Sequence, residues 1–231
     1  MNKLSIKFQV ILLTTLSLIL LASITTYISS SKSKEVLISN SYKNLTTVRD
    51  IKKGQIEEFF SNARRDIDVL ALSKNLQDIS WDLLSVLDDL EVADNVPFPV
   101  NNPSAKEERL PHEPFFQKYL KEYGYYDIFI IAAKTGHVMY SASKGLDYGA
   151  NLSTGSLKNS ALAKAYKKAL QNNRPTFIDM KPYKPSDNLP SMFLSTPIVV
   201  NAEVKAVLVF QISGASINNI MKYDLIKKTG A

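Results

Sequence analysis

Seven side chains in the C-terminal half of the chain are the best candidates for contacting a small molecule. They are Tyr140, Asp147, Tyr148, Asp179, Tyr183, Phe193 and Ser195. The first three lie at or beside the end of one predicted strand, and the others lie on or near later strands that we expect to pass the same sheet face. Aromatic walls with a few convergent hydrogen-bonding groups are what a small-molecule pocket requires. The pattern therefore predicts a ligand-binding site, in which Asp179 could pair with a ligand amine.

Each of these residues also has a purely structural interpretation. A tyrosine on a strand often closes the edge of a core and keeps its hydroxyl in water. An aspartate on a strand is more often a surface or turn residue. Sequence alone leaves both interpretations open for every candidate.

The residue types that catalysis needs are scarce. Cysteine is absent, which excludes thiol chemistry and thiolate metal sites. Of the two histidines, His112 follows a proline in a predicted loop and His137 opens a predicted strand, so we expect both to be structural or solvated. The sequence contains no His-Glu-x-x-His helix, Gly-x-Ser-x-Gly elbow or phosphate-binding glycine loop. We therefore predict a protein that is not an enzyme and has no cofactor and no metal site.

The charge of the chain does not indicate a nucleic-acid partner. There are 28 basic and 22 acidic residues, a formal net charge of +6. The basic residues are scattered among the acidic ones, and the densest cluster, Lys164, Lys167 and Lys168, has the spacing of one exposed helix face. We therefore expect no nucleic acid among the partners.

An apolar run from Ile6 to Ile28 predicts a membrane-spanning helix. Its length of about 23 residues exceeds the roughly 20 that a helix needs to cross the hydrocarbon core. Lys3 and Lys7 favour a cytoplasmic N-terminus at residues 1–5. The alternative is a cleaved signal peptide, because residues 10–22 alone have the character of its apolar region. In both cases we expect the bulk of the chain to lie outside the cytoplasm.

Residues 29–93 are expected to be helical. Apolar residues recur every three or four positions, at Ile38, Tyr42, Leu45, Val48, Ile56, Phe59, Ala63, Ile67 and Leu70. Such a stripe, with charged residues on the other face, predicts one or two long amphipathic helices. The stripe packs on its own domain, pairs two protomers as a homodimer, or does each at a different height of the helix.

The remainder of the chain predicts a small α+β domain at residues 113–222. Residues 94–112 are rich in proline and asparagine and predict a loop, and residues 113–123 predict a short helix before Gly124. Strands are predicted at 125–133, 137–143, 176–183, 191–200 and 204–213, with helices at 156–170 and 216–221. Antiparallel strands interrupted by a helix predict a single curved sheet.

Several segments, in their order and spacing, resemble a known family. They are residues 126–131, 134–136, 138–140, 147–152, 177–179, 183–186, 195–198 and 207–212. Together they resemble the Cache-type extracytoplasmic sensory region of bacterial methyl-accepting chemotaxis proteins, and the resemblance extends from the apolar run to about Tyr223. It implies a PAS-like antiparallel sheet on a long N-terminal helix. It also implies a small molecule bound between the sheet and the overlying loops.

The chain departs from that family in two respects. The arginine two residues ahead of a Trp-Tyr pair, with which some Cache sensors bind amino acids, is missing, and this argues against an amino-acid ligand. Such receptors usually continue into a second transmembrane helix, a HAMP linker and a coiled-coil signalling tip. Residues 223–231 read instead as a truncated connector, so we expect either a receptor fragment or a shortened product.

The leading hypothesis is the signal-input module of a chemotaxis-type receptor, a single-pass protein of the bacterial inner membrane with its bulk in the periplasm or outside the cell. A ligand would act by shifting the population of two sheet-and-loop arrangements. Alternatives are the input region of a sensor histidine kinase or diguanylate cyclase, a membrane-anchored periplasmic structural protein, and an extracytoplasmic hydrolase.

Overall fold

The computed structural model of the chain describes residues 5–222. The expected cytoplasmic N-terminus at residues 1–5, apart from residue 5, and the expected connector at 223–231 lie outside the described residues. The helices and strands of the structure are α1 Ile6–Ala71, α2 Lys74–Asp89, α3 Pro103–Arg109, α4 Glu113–Tyr123, β1 Asp127–Ala132, β2 Val138–Ser141, α5 Ala161–Asn172, β3 Thr176–Tyr183, a 3₁₀ turn Lys184–Ser186, β4 Leu189–Val200, β5 Glu203–Ser213 and α6 Gly214–Met221. A long N-terminal helix and one antiparallel sheet confirm the predicted α+β class.

The chain divides into two compact units, residues 1–54 and 55–231. The described part of the first unit consists of α1 residues, and α1 is the one described helix long and apolar enough to cross a bilayer. Hydroxyl groups in this stretch are hydrogen-bonded to backbone carbonyls three or four residues earlier, at Thr14, Thr15, Ser17, Ser23 and Thr25. These bonds satisfy the polar atoms that an apolar environment would otherwise penalise.

The second unit is built on a five-stranded sheet with the order β2-β1-β5-β4-β3, in which all neighbours are antiparallel. Tight turns allow consecutive strands to run antiparallel. The β4–β5 hairpin turns at Asn201 and Ala202, which both have positive φ, and the β1–β2 turn uses Gly136 with φ of +81°. A left-handed backbone at hairpin turns matches the twist of the flanking strands.

Both faces of the sheet are buried against helices. The face that we call the α2 face packs on the end of α1, on α2 and on α4, with Ile128 and Phe210 among its fully buried residues. The α5 face packs on α5 and contains Phe129 and Val209. Neighbouring residues of one strand therefore belong to different cores, as the two-residue period of a strand requires.

The predicted long helix is interrupted at residues 72–73. Ser73 is the N-cap of α2, and its hydroxyl oxygen accepts a hydrogen bond from the backbone N–H of Leu76. Buried residues then recur at helical spacing, at Leu76, Ile79, Ser80, Leu83, Val86 and Leu87. The stripe of residues 63–70 likewise packs on its own domain, with Ile67 fully buried. For this stretch the structure selects packing within the domain over pairing between protomers.

Two predicted boundaries were wrong. The loop predicted at 94–112 contains α3, which has a proper helix start because Asn102 caps the N–H of Ser104 and Pro103 occupies the first turn. The helix predicted from residue 156 begins only at Ala161, since Ser160 caps it through the N–H of Ala163. The helix predicted at 113–123 coincides with α4, between Pro114 and a left-handed Gly124.

Replacing a core leucine of α2 tests this packing. Leu83 is fully buried, so we expect Leu83→Ala to lower the free energy of unfolding by about 2–5 kcal/mol, since it removes buried methyl groups and leaves a cavity. Leu72→Ala is the matched control, because Leu72 is 77% exposed. Chemical denaturation of the detergent-solubilised chain measures both, and equal losses for the two variants would contradict the assigned core.

Candidate functional site

Three of the candidate residues meet on the α5 face. The Tyr183 hydroxyl, at the end of β3, donates a hydrogen bond to Oδ2 of Asp147 over 2.8 Å. The ring of Tyr183 stands edge-on to that of Phe193, with 4.9 Å between their centroids. All three side chains are buried. Asp147 enters this core from the loop after β2, in which Gly149 adopts a positive φ and turns the chain back.

A second buried carboxylate, which the sequence analysis missed, lies in the same region. Asp127 is the first residue of β1 and is 1% exposed. Its Oδ2 accepts hydrogen bonds from the hydroxyls of Ser141, over 2.7 Å, and Ser143. Its Oδ1 accepts from the backbone N–H groups of Ile128, over 2.7 Å, and Ser143, over 2.9 Å. The sequence did contain a signal for this site, because Asp127 is an aspartate at the start of an otherwise apolar strand.

Burial raises the pKa of both carboxyl groups. The pKa of Asp127 rises from 3.8 to about 6, because burial outweighs the hydrogen bonds from Ser143 and Ser141, and the charge of Asp147 adds to the rise. Burial also raises the pKa of Asp147, although the hydrogen bond from Tyr183 opposes it. Oδ1 of Asp147 is buried without a hydrogen-bond partner among residues 5–222. This carboxylate pair, Asp127 and Asp147, therefore retains capacity for a donor.

Gln211 extends the polar region across the sheet. It lies on β5 directly opposite Asp127 in the strand register. Its Nε2 donates to the hydroxyl of Ser186 in the 3₁₀ turn over 2.9 Å and to that of Ser191 over 2.8 Å. Gln211 is 1% exposed, and the sequence analysis did not single it out. These bonds hold the 3₁₀ turn against the polar end of the α5 face.

A groove of about 500 Å³ lies between the start of α5 and β3. It is lined by Leu157, Asn159, Ser160, Ala161, Lys164, Lys168, Phe177, Ile178, Asp179, Lys181, Pro182, Tyr183, Lys184 and Pro185. Asp179 is exposed here, and its Oδ1 accepts from the N–H of Met180. Tyr183 lines the groove and also binds Asp147, so it joins the α5–β3 groove to the carboxylate pair.

The remaining candidates lie elsewhere. The Ser195 hydroxyl donates to the carbonyl of Ala165 over 2.8 Å and so attaches α5 to the sheet. Tyr140 belongs to the α2 face, where its ring is 5.0 Å from that of Phe116. Tyr148 accepts a hydrogen bond from Arg109 over 2.8 Å. The structure thus separates Tyr140, on the α2 face, and Tyr148, which is bonded to Arg109, from the groove.

The bond between Arg109 and Tyr148 is part of a network that fixes the loop carrying Asp147. The Arg109 guanidinium also donates to Glu113 over 2.8 Å and to the carbonyl of Val100 over 2.9 Å. Lys144, at the start of the loop, contacts the same Glu113 oxygen over 2.7 Å. Burial alone would raise the pKa of Glu113, but Lys144 and Arg109 more than offset it and lower that pKa. The loop is therefore attached to α3 and α4 by charged contacts.

Both histidines have structural partners. His137 is fully buried, with Nε2 2.7 Å from the carbonyl oxygen of Val96 and Nδ1 2.8 Å from the hydroxyl of Thr135. Nε2 of His112 lies 3.8 Å from Oδ2 of Asp82. Within residues 5–222, no group of three or more histidine, cysteine, aspartate or glutamate side chains is arranged to hold a metal ion.

Comparison with known proteins gives matches in solved structures alone. No family model matches the chain, and no curated protein matches it. The ligand-binding domain of the Campylobacter jejuni chemoreceptor Tlp3, in complex with 4-methylisoleucine, is similar at 14% identity, with 77% of this chain and 60% of that chain covered and a TM-score of 0.48. This chain therefore spans about 60% of the length of that domain.

Two further similar structures come from histidine kinases. The sensor domain of the V. cholerae histidine kinase DctB matches at 13% identity, covering 74% of this chain and 58% of that chain, with a TM-score of 0.42. The extracellular domain of the putative histidine kinase vpHK1S-Z8 matches at 14% identity, covering 76% of this chain and 62% of that chain, with a TM-score of 0.46. By their names, the three similar structures are a ligand-binding domain, a sensor domain and an extracellular domain.

The raised pKa of Asp127 predicts a specific pH dependence. Because the folded protein holds this proton more tightly than the unfolded chain, folding becomes less favourable as the pH rises from about 4 through about 6. The Asp127→Asn variant lacks this titration. Between about pH 4 and pH 7 its stability should therefore improve relative to the wild type by on the order of 2–3 kcal/mol.

Denaturant titrations of both proteins at the two pH values measure this change. Titrating groups that do not interact with Asp127 cancel in the difference between variant and wild type. The same difference at both pH values would show that the Asp127 carboxylate is not destabilised by burial.

Proposed function

We propose that this chain is the extracytoplasmic, small-molecule-sensing input region of a transmembrane receptor of the chemotaxis type. The observation that carries the proposal is the α5–β3 groove, whose wall residue Tyr183 is hydrogen-bonded to a buried carboxylate with an unpartnered oxygen. A concave site of this size with a few oriented polar groups suits a small ligand. Carboxyl groups with pKa values raised by burial are typical of functional sites.

The contacts of the second unit supply a route from the groove to α1. Asp147 lies on the loop that Arg109 and Lys144 attach to α3 and α4. From α4, Tyr119 donates to the backbone carbonyl of Asp66 in α1 over 3.1 Å. A ligand that favours one position of the loop would shift the population of these contacts by its difference in affinity for the two arrangements.

Tyr125 makes a second contact with the same α1 residue. Its hydroxyl donates to Oδ2 of Asp66 over 2.6 Å, and its ring stacks on that of Phe210 with 4.3 Å between centroids. Since Phe210 lies on β5, the sheet and α1 are joined at Asp66 by two tyrosine hydroxyls. We propose that Asp66 is the point at which the sensing domain acts on the long helix.

The apolar segment from Ile6 to Ile28 is proposed to anchor the chain in the bacterial inner membrane, with the sensing domain in the periplasm or outside the cell. Beyond it, α1 exposes Ile38, Tyr42 and Leu45. These side chains recur at helical spacing, which favours a homodimer through this part of α1. The same input region would serve a histidine kinase or a diguanylate cyclase, because the sensing site does not depend on the output domain.

A thermal-shift screen of the full chain in detergent tests the sensing function. Organic acids, amines, amino acids and neutral sugars are added one at a time, and we expect at least one compound to raise the melting temperature by mass action. Calorimetric titration should then show binding weakened about tenfold or more in Asp147→Asn, because the hydrogen bond that Tyr183 donates to this side chain loses its charge assistance. The exposed Asp89→Asn serves as the matched control. A screen with no stabilising compound in any class would refute the sensing function.

The anchor and the dimer are tested on membranes expressing the full chain. We expect the chain to resist alkaline extraction and to keep residues 6–28, which intact-mass spectrometry detects. A mature mass lacking them would favour a cleaved signal peptide instead. Light scattering of the extracted protein should give a dimer, and Leu45→Asp should make it monomeric through an unpaired buried charge. A wild-type monomer at micromolar concentration would contradict the dimer.

A further inference from the structure

The α5–β3 groove is strongly basic. Four of its lining residues are lysines, which come from three different elements. Lys164 and Lys168 stand one helical turn apart on α5, so they share one side of that helix. Lys181 is on β3, and Lys184 begins the following 3₁₀ turn. The lysines therefore line the groove from both of its walls.

These positive charges are not balanced within the described part of the chain. None of the four lysine ammonium groups forms a salt bridge with a carboxylate of residues 5–222. Asp179 is the one acidic residue that lines the groove. One of its oxygens is already used by the N–H of Met180. An unpaired set of like charges around one concavity raises the local potential and attracts anions.

The first turn of α5 adds to this potential. It contains no acidic residue, and Ser160 and Ala161 at its start line the groove. A helix N-terminus carries a partial positive charge, which favours a nearby anion. The positive end of α5 thus reinforces the potential of the lysines. In contrast, Lys167 of the same helix does not line the groove and donates to the carbonyl of Lys158 instead.

We infer that the α5–β3 groove binds a small organic or inorganic anion with two or more negative charges, such as a di- or tricarboxylate or a phosphate. This inference rests on the proposed sensing function and names the ligand class. The anionic groups contact the lysines, and the body of the ligand reaches Tyr183, through which its position is transmitted to Asp147. The groove volume of about 500 Å³ suits a small molecule rather than a polymer.

Calorimetric titration of the full chain in non-ionic detergent and phosphate-free buffer tests the inference. Citrate, succinate and inorganic phosphate are the anionic probes, with putrescine and glucose as cationic and neutral probes. We expect a multivalent anion to bind, with affinity falling several-fold between about 20 mM and about 300 mM NaCl because salt screens the lysines. Comparing citrate and succinate with phosphate distinguishes a carboxylate ligand from a phosphate ligand.

Charge-neutralising variants locate the binding. The double variant Lys164→Gln, Lys181→Gln removes one charge from each wall and should weaken anion binding about tenfold or more. Lys167→Gln changes the same residue type on the same helix outside the groove, and its affinity should stay within about twofold of the wild type. Equal affinities in the wild type and the double variant would place the anion elsewhere and overturn the inference.

The remaining outcomes separate this inference from the sensing function. If putrescine or glucose binds in an Asp147-dependent manner and the anions do not, the inferred anionic ligand class is wrong, whereas the proposed sensing function is retained. If no probe binds and the wider thermal-shift screen also finds no ligand, both the ligand class and the sensing function are refuted.

A further experiment compares binding to vesicles of phosphatidylglycerol with binding to vesicles of phosphatidylcholine. Lysine-dependent binding to the former without binding of a soluble anion would make the groove a membrane contact and refute the inference.

Discussion

The burial of both sheet faces is the constraint on which the rest of the second unit depends. A strand sends successive side chains to opposite faces, so β5 must supply residues to two cores at once, with Leu208 in one and Val209 in the other. The α2 face is largely apolar, although the buried Thr196 of β4 lies on it. The α5 face is largely apolar under α5, where Ser195 bonds to that helix, and becomes more polar at the level of Asp127 and Gln211. The polar end is covered by a loop and a 3₁₀ turn, whose backbone can be adjusted more readily than a packed helix.

Opposite charges lie on the two sides of Tyr183. On the outer side, the groove presents lysines that form no salt bridge with a carboxylate of residues 5–222. On the inner side, Asp127 and Asp147 are buried with hydroxyl and amide donors in place of cations. Burying carboxylates this way costs free energy that packing alone does not require. Such a cost is expected where a site must respond to a ligand, because a fully satisfied interior has little reason to change its arrangement. Tyr183 contacts both sides, and burial together with the charge of Asp147 raises its pKa, so it remains a hydrogen-bond donor.

Local signals determined most of the elements that the sequence predicted correctly. Pro114 and Gly124 bound α4, and the apolar runs of β4 and β5 predicted these strands to within two residues. The helix α3 was missed because its composition reads as a loop, although the Asn102 cap precedes it.

The candidate site was less accessible to sequence reasoning, because strand periodicity assigns residues to two faces without saying which face is concave. Tyr140 and its neighbour Ser141 belong to opposite faces, and a bulge between β1 and β2 shifts the register beside them. Asp127 and Gln211 are more than eighty positions apart, and only the pairing of β1 with β5 brings them opposite each other.

Coupling between the groove and α1 is limited by the weakest of the contacts that join them. A ligand can move an equilibrium only by its difference in affinity for the two arrangements, and a shift from 1:99 to 99:1 needs roughly 5.5 kcal/mol. In the proposed mechanism, the bond from Tyr183 to Asp147 would supply part of this free energy, and the contacts of Arg109 would rearrange when the loop moves. The two tyrosine bonds to Asp66 would then carry the change into α1 as a pair. Because both end on one residue of a helix with fixed geometry, a small rotation of the sheet against α1 strains both bonds together, which favours two discrete positions over a continuous range.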